Sequence, residues 1–157
     1  MAEAGIPFLD LAAEAAASRE AVQAAIDRVL TRGWFILGPE VEAFERAFAA
    51  YVQAQHAVGV GSGTDALALA LRACGIGPGD EVITTPYTFY ATAEAIARHG
   101  ATPVFVDIEP DSACIDPDLI EEKITDRTKA IIPVHIFGHP ASMTSILTVA
   151  AENGLSV

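Results

Sequence analysis

Residues 61–65 read Gly-Ser-Gly-Thr-Asp, between a short apolar run at 57–60 and an apolar helical pattern at 65–73. A strand that passes through a tight turn straight into a helix presents unpaired backbone N–H groups and the positive end of the helix dipole. That arrangement suits a phosphate. Gly61 and Gly63 allow close backbone approach, and Ser62 and Thr64 add hydroxyl donors. The turn alone leaves the ligand open. A dinucleotide fingerprint needs G-x-G-x-x-G, whereas Gly59, Gly61 and Gly63 have the wrong last interval, and no acidic residue follows the next strand at Thr84-Thr85-Pro86. A P-loop needs Lys after its last glycine, and here Thr64-Asp65 follows. A tight turn that binds nothing is the third reading.

The elements around this turn repeat. Strand patterns at 57–60, 81–85, 102–107 and 129–135 alternate with helical patterns at 65–73, 91–99, 117–124 and 142–153, and 155–157 opens a fifth strand. Strand alternating with helix predicts an α/β fold with a mostly parallel sheet covered on both faces, and ligands then bind at the carboxyl ends of the strands. That edge would carry 61–64, 86–89, Asp107 and 135–138. His135 stands there as a candidate ligand contact, or as a hydrogen-bonded strand end. His56 and His99 read as exposed helix-end residues. Before the repeat come an extended arm at 6–11, a helix from Ser18 to about Leu30 ended by Gly33, an apolar loop at 34–39, and a helix from about Glu40 to Tyr51.

Composition narrows the function classes. A 52% hydrophobic fraction with 19% charged residues describes a folded protein. The net charge of −12 disfavours nucleic acid and anionic membrane as partners, because phosphate backbones require clustered Lys and Arg. No apolar run reaches the roughly 20 residues of a membrane helix. No secretory signal pattern opens the chain, so the expected location is cytoplasmic. Cys74 and Cys114 are far apart and read as free thiols. The acidic residues between Asp107 and Glu122 match no calcium loop, and no metal site is expected.

Six segments occur in order: IPFLDL at 6–11, GWFILGPEVEAFE at 33–45, GSGTDAL at 61–67, GIGPGDEVITTPYTFY at 75–90, PVFVDI at 103–108 and TKAIIPVHIFGHP at 128–140. Together they resemble the DegT/DnrJ/EryC1/StrS family of sugar-nucleotide aminotransferases, over nearly the whole chain. The resemblance implies the three-layer large domain of the aspartate-aminotransferase fold (PLP fold type I) and the cofactor pyridoxal 5'-phosphate (PLP). It implies that Gly63, Thr64 and Asp65 bind the PLP phosphate, with the Asp65 side chain capping the helix, and that Phe89 stacks on the pyridine ring. Trp34 and Phe35 would line the sugar pocket. His135, from its place at a strand end on the ligand edge, is a candidate substrate or cofactor contact. The implied partners are a nucleotide sugar and an amino acid, and the implied assembly is a homodimer.

The same resemblance divides the chain into an arm with helices at 1–56 and the first half of the PLP-binding large domain at 57–157. The Schiff-base lysine and the pyridine-binding aspartate would both lie beyond Val157, as would the smaller C-terminal domain. Lys123 and Lys129 are the only lysines present, one in an acidic helix and one opening a strand at the edge away from the ligand. The reading is therefore the N-terminal portion of an aminotransferase that moves an amino group, from glutamate, to a nucleotide-linked keto-deoxysugar. By this reading the portion is inactive alone and prone to aggregate. The alternative is a non-catalytic regulatory or partner-binding remnant of the family. The arm and the GWFILGPE loop resemble the members that act at the sugar's 3-position.

Overall fold

A computed structural model describes residues 8–157. Ile6 and Pro7 of the expected arm lie outside the described residues. The described chain forms two compact units divided between Gly59 and Val60.

The first unit holds α1 (Leu11–Arg32) and α2 (Pro39–Tyr51). Helix α1 starts seven residues before the expected Ser18, because Asp10 already caps it: its carboxylate accepts the Ala13 N–H at 2.9 Å. The alanine-rich first turns then propagate the helix, and Ser18 turns its hydroxyl back to the Glu14 carbonyl at 3.2 Å. Gly33 ends α1 in the left-handed region at φ 69°, as its type predicts. Pro39 opens α2, and Glu40 in its first turn pairs with Arg28 and Arg32 of α1. No residue of α1 is buried, and Val22, Ile26, Phe44 and Phe48 are all exposed.

The second unit is the expected α/β repeat: α3 (Gly63–Ala73), β1 (Glu81–Thr84), α4 (Ala91–Arg98), β2 (Thr102–Phe105), β3 (Thr128–Ile131) and α5 (Met143–Asn153). The strands are parallel in the order β2-β1-β3, with Ile83 opposite both Val104 and Ile131. Adjacent residues of a strand point to opposite faces, so the sheet builds two cores. Val82 and Ala130 pack with Leu71 of α3 and Ala95 and Ile96 of α4. Ile83 and Ile131 pack with Ile115, Ile120 and, from α5, Ile146. Helices on both sides of the sheet give the three layers.

Five expectations fail locally. Residues 57–60 form no strand, because no other strand pairs with them among the described residues; the Gly59 N–H instead donates to the Glu45 carboxylate at 2.7 Å. The helix expected at 117–124 is two 3₁₀ turns, Pro117–Leu119 and Glu121–Lys123, too short to propagate as an α-helix. Strand β3 stops at Ile131: the Ile132 N–H still reaches the Ile83 carbonyl, but Pro133 has no N–H to extend the ladder. Strand β2 is only partly covered because it is the edge of the sheet, and Phe105 is exposed. The fifth strand is a single parallel bridge from Ser156 to Ala130.

A polar clamp closes the amino-terminal edge of the sheet. The buried Glu81 carboxylate accepts hydrogen bonds from the Thr125 hydroxyl and from Arg127, while the Glu81 N–H donates to the Arg127 carbonyl. The Thr125 hydrogen bond holds the Glu81 carboxyl below its usual range against the opposing effect of burial, and Arg127 adds to it. A carboxyl lowered in the folded state stabilises the fold fully above its unfolded-state value. That contribution is lost as pH falls through the folded value. We therefore expect Glu81→Gln to lower the urea midpoint at neutral pH and to flatten its fall below about pH 4. Parallel pH profiles for the two proteins would contradict the clamp.

Candidate functional site

The chain order of the second unit puts its functional segments at one edge. Helix α3 runs down to the start of β1, so α3 begins at the carboxyl edge of the sheet, where β1, β2 and β3 end. Residues 61–65, 85–90 and 132–139 all belong to that edge.

At the start of α3 the N-cap is Ser62, not Asp65 as expected. The Ser62 hydroxyl accepts the Asp65 N–H at 3.1 Å and donates to the Asp65 carboxylate at 2.9 Å. Asp65 is the third helical residue, and its carboxylate accepts from the Ser62 hydroxyl, not from the Ser62 N–H as in a capping box. This cap satisfies the Asp65 amide of the first turn and leaves the two before it. The N–H groups of Gly63 and Thr64 have no acceptor among the described residues, and neither does the Thr64 hydroxyl. Open space surrounds the Gly63 Cα, with no atom within 4 Å of where a Cβ would stand. A Cβ on Gly61 would stand 3.1 Å from the Asp65 carboxylate. Two amides and a hydroxyl at the positive end of a helix form a donor set for one phosphate. Ser62→Ala removes both arms of the cap, and we expect it to lower stability by about 1 kcal/mol. Urea unfolding of the two proteins measures this, and an unchanged midpoint would show that the cap contributes nothing.

After β1 the chain turns through Pro86. Thr85 Oγ1 accepts the Tyr87 N–H at 3.2 Å, and the Thr88 and Thr92 hydroxyls share a hydrogen bond of 2.9 Å that fixes the start of α4. Phe89 therefore precedes α4 and does not lie within it, and 79% of it is exposed. A core phenylalanine would be covered; this one offers a ring face to a flat ligand.

After β3, residues 135–139 make a tight turn in which Phe137 adopts φ 51° and Gly138 φ 81°. An aromatic residue in the left-handed region costs on the order of 1 kcal/mol. Phe137 meets Tyr87 edge to face, with ring centroids 6.3 Å apart. This pair ties the turn after β3 to the turn after β1, and the sequence reading missed it. The Phe-Gly dipeptide was the one available signal, because Gly at 138 marks a left-handed turn. His135 is exposed, and its Nδ1 lies 3.1 Å from the Ala141 nitrogen. His99, expected to be exposed, is half-buried with Nε2 2.8 Å from the Ala68 carbonyl, so it joins α4 to α3.

Trp34 and Phe35 belong to the first unit. The Trp34 Nε1–H donates to the Ile36 carbonyl at 2.7 Å, and a Cβ on Gly38 would stand 3.3 Å from the indole ring. The indole is thus fixed by its own loop and its donor is committed there. Phe35 borders a groove of ≈ 350 Å³ with Ala25, Ile26, Val29 and Leu30 of α1 and Glu40.

Neither lysine reaches the carboxyl edge. Lys123 is exposed in the second 3₁₀ turn, and Lys129 is the second residue of β3, near its amino end. Among the described residues no helix is long and apolar enough to cross a membrane.

Comparison with known proteins gives one consistent result. Residues 16–157 match the DegT/DnrJ/EryC1/StrS aminotransferase family. The chain is 51% identical over 152 residues to the dTDP-3-amino-3,4,6-trideoxy-alpha-D-glucose transaminase of Streptomyces venezuelae, which covers 97% of this chain and 40% of that protein. It superposes on the X-ray structure of S. venezuelae DesV in complex with a ketimine intermediate with a TM-score of 0.93 and 52% identity, over 96% of this chain and 40% of that one. It is also similar to the structure of Bacillus subtilis NtdA with bound cofactor PMP, with a TM-score of 0.86 and 40% identity, over 88% of this chain and 32% of that one. The chain thus spans about two fifths or less of the length of these relatives.

Proposed function

The chain belongs to the DegT/DnrJ/EryC1/StrS aminotransferase family, and from that premise we propose that it supplies the N-terminal part of a PLP-dependent aminotransferase acting on a nucleotide-linked keto-deoxysugar. The observation that carries this reading is the donor set at the start of α3: two unpaired amides and the Thr64 hydroxyl, beside open space at Gly63. That set fits the dianionic phosphate of PLP. The exposed ring of Phe89 at the same edge fits the cofactor's flat pyridine.

Each residue has a separate task. Gly63 and Thr64 bind the phosphate through N–H and hydroxyl donors, and Asp65 acts through the helix cap, because Ser62 engages both its N–H and its carboxylate. Phe89 holds the ring plane. When bound, PLP supplies an electron sink for the carbon that carries the amino nitrogen. This reading requires a Schiff-base lysine and a pyridine-binding aspartate beyond Val157. Glutamate is the amino donor in this reading, and Phe35 and Trp34 shape the sugar pocket. The exposed apolar residues of α1 and α2 support a homodimer in which these faces are covered, and the reading places that homodimer in the cytoplasm.

Incubation of the full-length protein with PLP, glutamate and a panel of nucleotide-linked ketosugars tests the activity. We expect amino transfer to a 3-keto sugar and release of 2-oxoglutarate. No transfer to any 3-keto or 4-keto substrate would contradict the reading.

A further inference from the structure

The hydrogen bond of His135 decides which of its nitrogens carries the proton. Its Nδ1 lies 3.1 Å from the backbone nitrogen of Ala141. A backbone amide can only donate, so Nδ1 accepts and is unprotonated in the neutral ring. The proton is then on Nε2. Ala141 is buried within the core that lies under α5, so the ring is clamped to a fixed point of the fold. The left-handed residues Phe137 and Gly138 turn the chain back to make this contact, and Phe137 bears the backbone cost of doing so. Nε2 lies on the far side of the ring from Nδ1. It has no protein acceptor among the described residues, and the ring is exposed at the carboxyl edge.

We infer that His135 is a fixed hydrogen-bond donor at the ligand edge, presenting Nε2–H to an acceptor oxygen of a bound ligand. The inference rests on the aminotransferase reading for the identity of that ligand, but the tautomer does not. The acceptor chemistry is a hydroxyl, keto or carboxylate oxygen, carried by either the nucleotide sugar or the cofactor.

Two substitutions separate the nitrogens. In His135→Asn the side-chain oxygen overlays Nδ1, so it still accepts the Ala141 amide but offers no distal donor. In His135→Gln the amide nitrogen overlays Nε2 while the acceptor for Ala141 is lost. The experiment uses the full-length protein. Imidazole nitrogen NMR at about pH 8, with His135 assigned by difference from His135→Asn, reads the tautomer whether or not the enzyme reading holds. We expect protonated Nε2 and bare Nδ1; a protonated Nδ1 overturns the proposal. Titrations of PLP into the apoprotein, and of nucleotide sugar into the loaded protein, read the ligand. We expect His135→Asn to keep the wild-type unfolding midpoint and to weaken one ligand about threefold to tenfold, the value of one neutral hydrogen bond. A loss for PLP assigns the acceptor to the cofactor, and a loss for the sugar assigns it to the substrate. Wild-type affinity of His135→Asn for both ligands, with His135→Gln destabilised, makes the residue structural and overturns the proposal.

Discussion

Thr64→Val in the full-length protein is expected to weaken PLP binding about ten- to hundredfold, because it deletes one hydroxyl donor to a dianion. A hydrogen bond to a charged group contributes about 1.5–3 kcal/mol. Valine keeps the branching of threonine, so α3 itself is undisturbed. The Ser62–Asp65 cap that starts the helix does not involve the Thr64 side chain. Phe89→Ala is the companion variant. It removes an exposed ring that nothing in the fold needs for coverage, so its cost appears in cofactor affinity, on the order of 1 kcal/mol beyond lost area, and not in stability. Titration of the apoprotein with PLP, followed by the cofactor's absorbance, measures both. Unchanged affinity in both variants would remove the cofactor from this edge.

A polypeptide of these 157 residues alone is expected to show no transaminase activity. Catalysis through PLP requires a lysine that can reach the cofactor, and both lysines are placed where they cannot. Lys123 is in an exposed 3₁₀ turn between the acidic 118–122 stretch and β3. Lys129 is near the amino end of β3, one strand length from the edge that holds Thr64, Phe89 and His135. Nucleophilic catalysis depends on position before reactivity, so neither ammonium substitutes for the missing group. Borohydride treatment of the polypeptide with PLP, followed by peptide mapping, reads this directly. A stoichiometric adduct at Lys123 or Lys129, together with amino transfer, would contradict it.

Much of this edge was legible in the sequence because its signals are local. Ser62, Gly63 and Thr64 announce a turn into a helix by residue type alone, and Gly33 and Gly154 end their helices in the left-handed conformation their type predicts. The parallel sheet followed from apolar runs that alternate with amphipathic segments. The details that were not legible depend on partners distant in sequence. Residues 57–60 have strand composition but lack a strand to pair with among the described residues. Asp10 outcompetes Ser18 as the cap of α1 because an alanine-rich run lies between them, and both residue types cap equally well on paper. Asp65 reads as a cap by type, yet its place three residues after Ser62 makes it the second member of the pair. The Tyr87–Phe137 contact joins residues 50 positions apart and has no sequence period to reveal it.

A crystal structure of the full-length protein with PLP decides whether the start of α3 holds the cofactor's phosphate. The phosphate oxygens are expected at about 2.7–3.2 Å from the Gly63 and Thr64 amides and the Thr64 hydroxyl, with the pyridine ring against Phe89. A phosphate bound anywhere else, with those two amides still free, would contradict that placement.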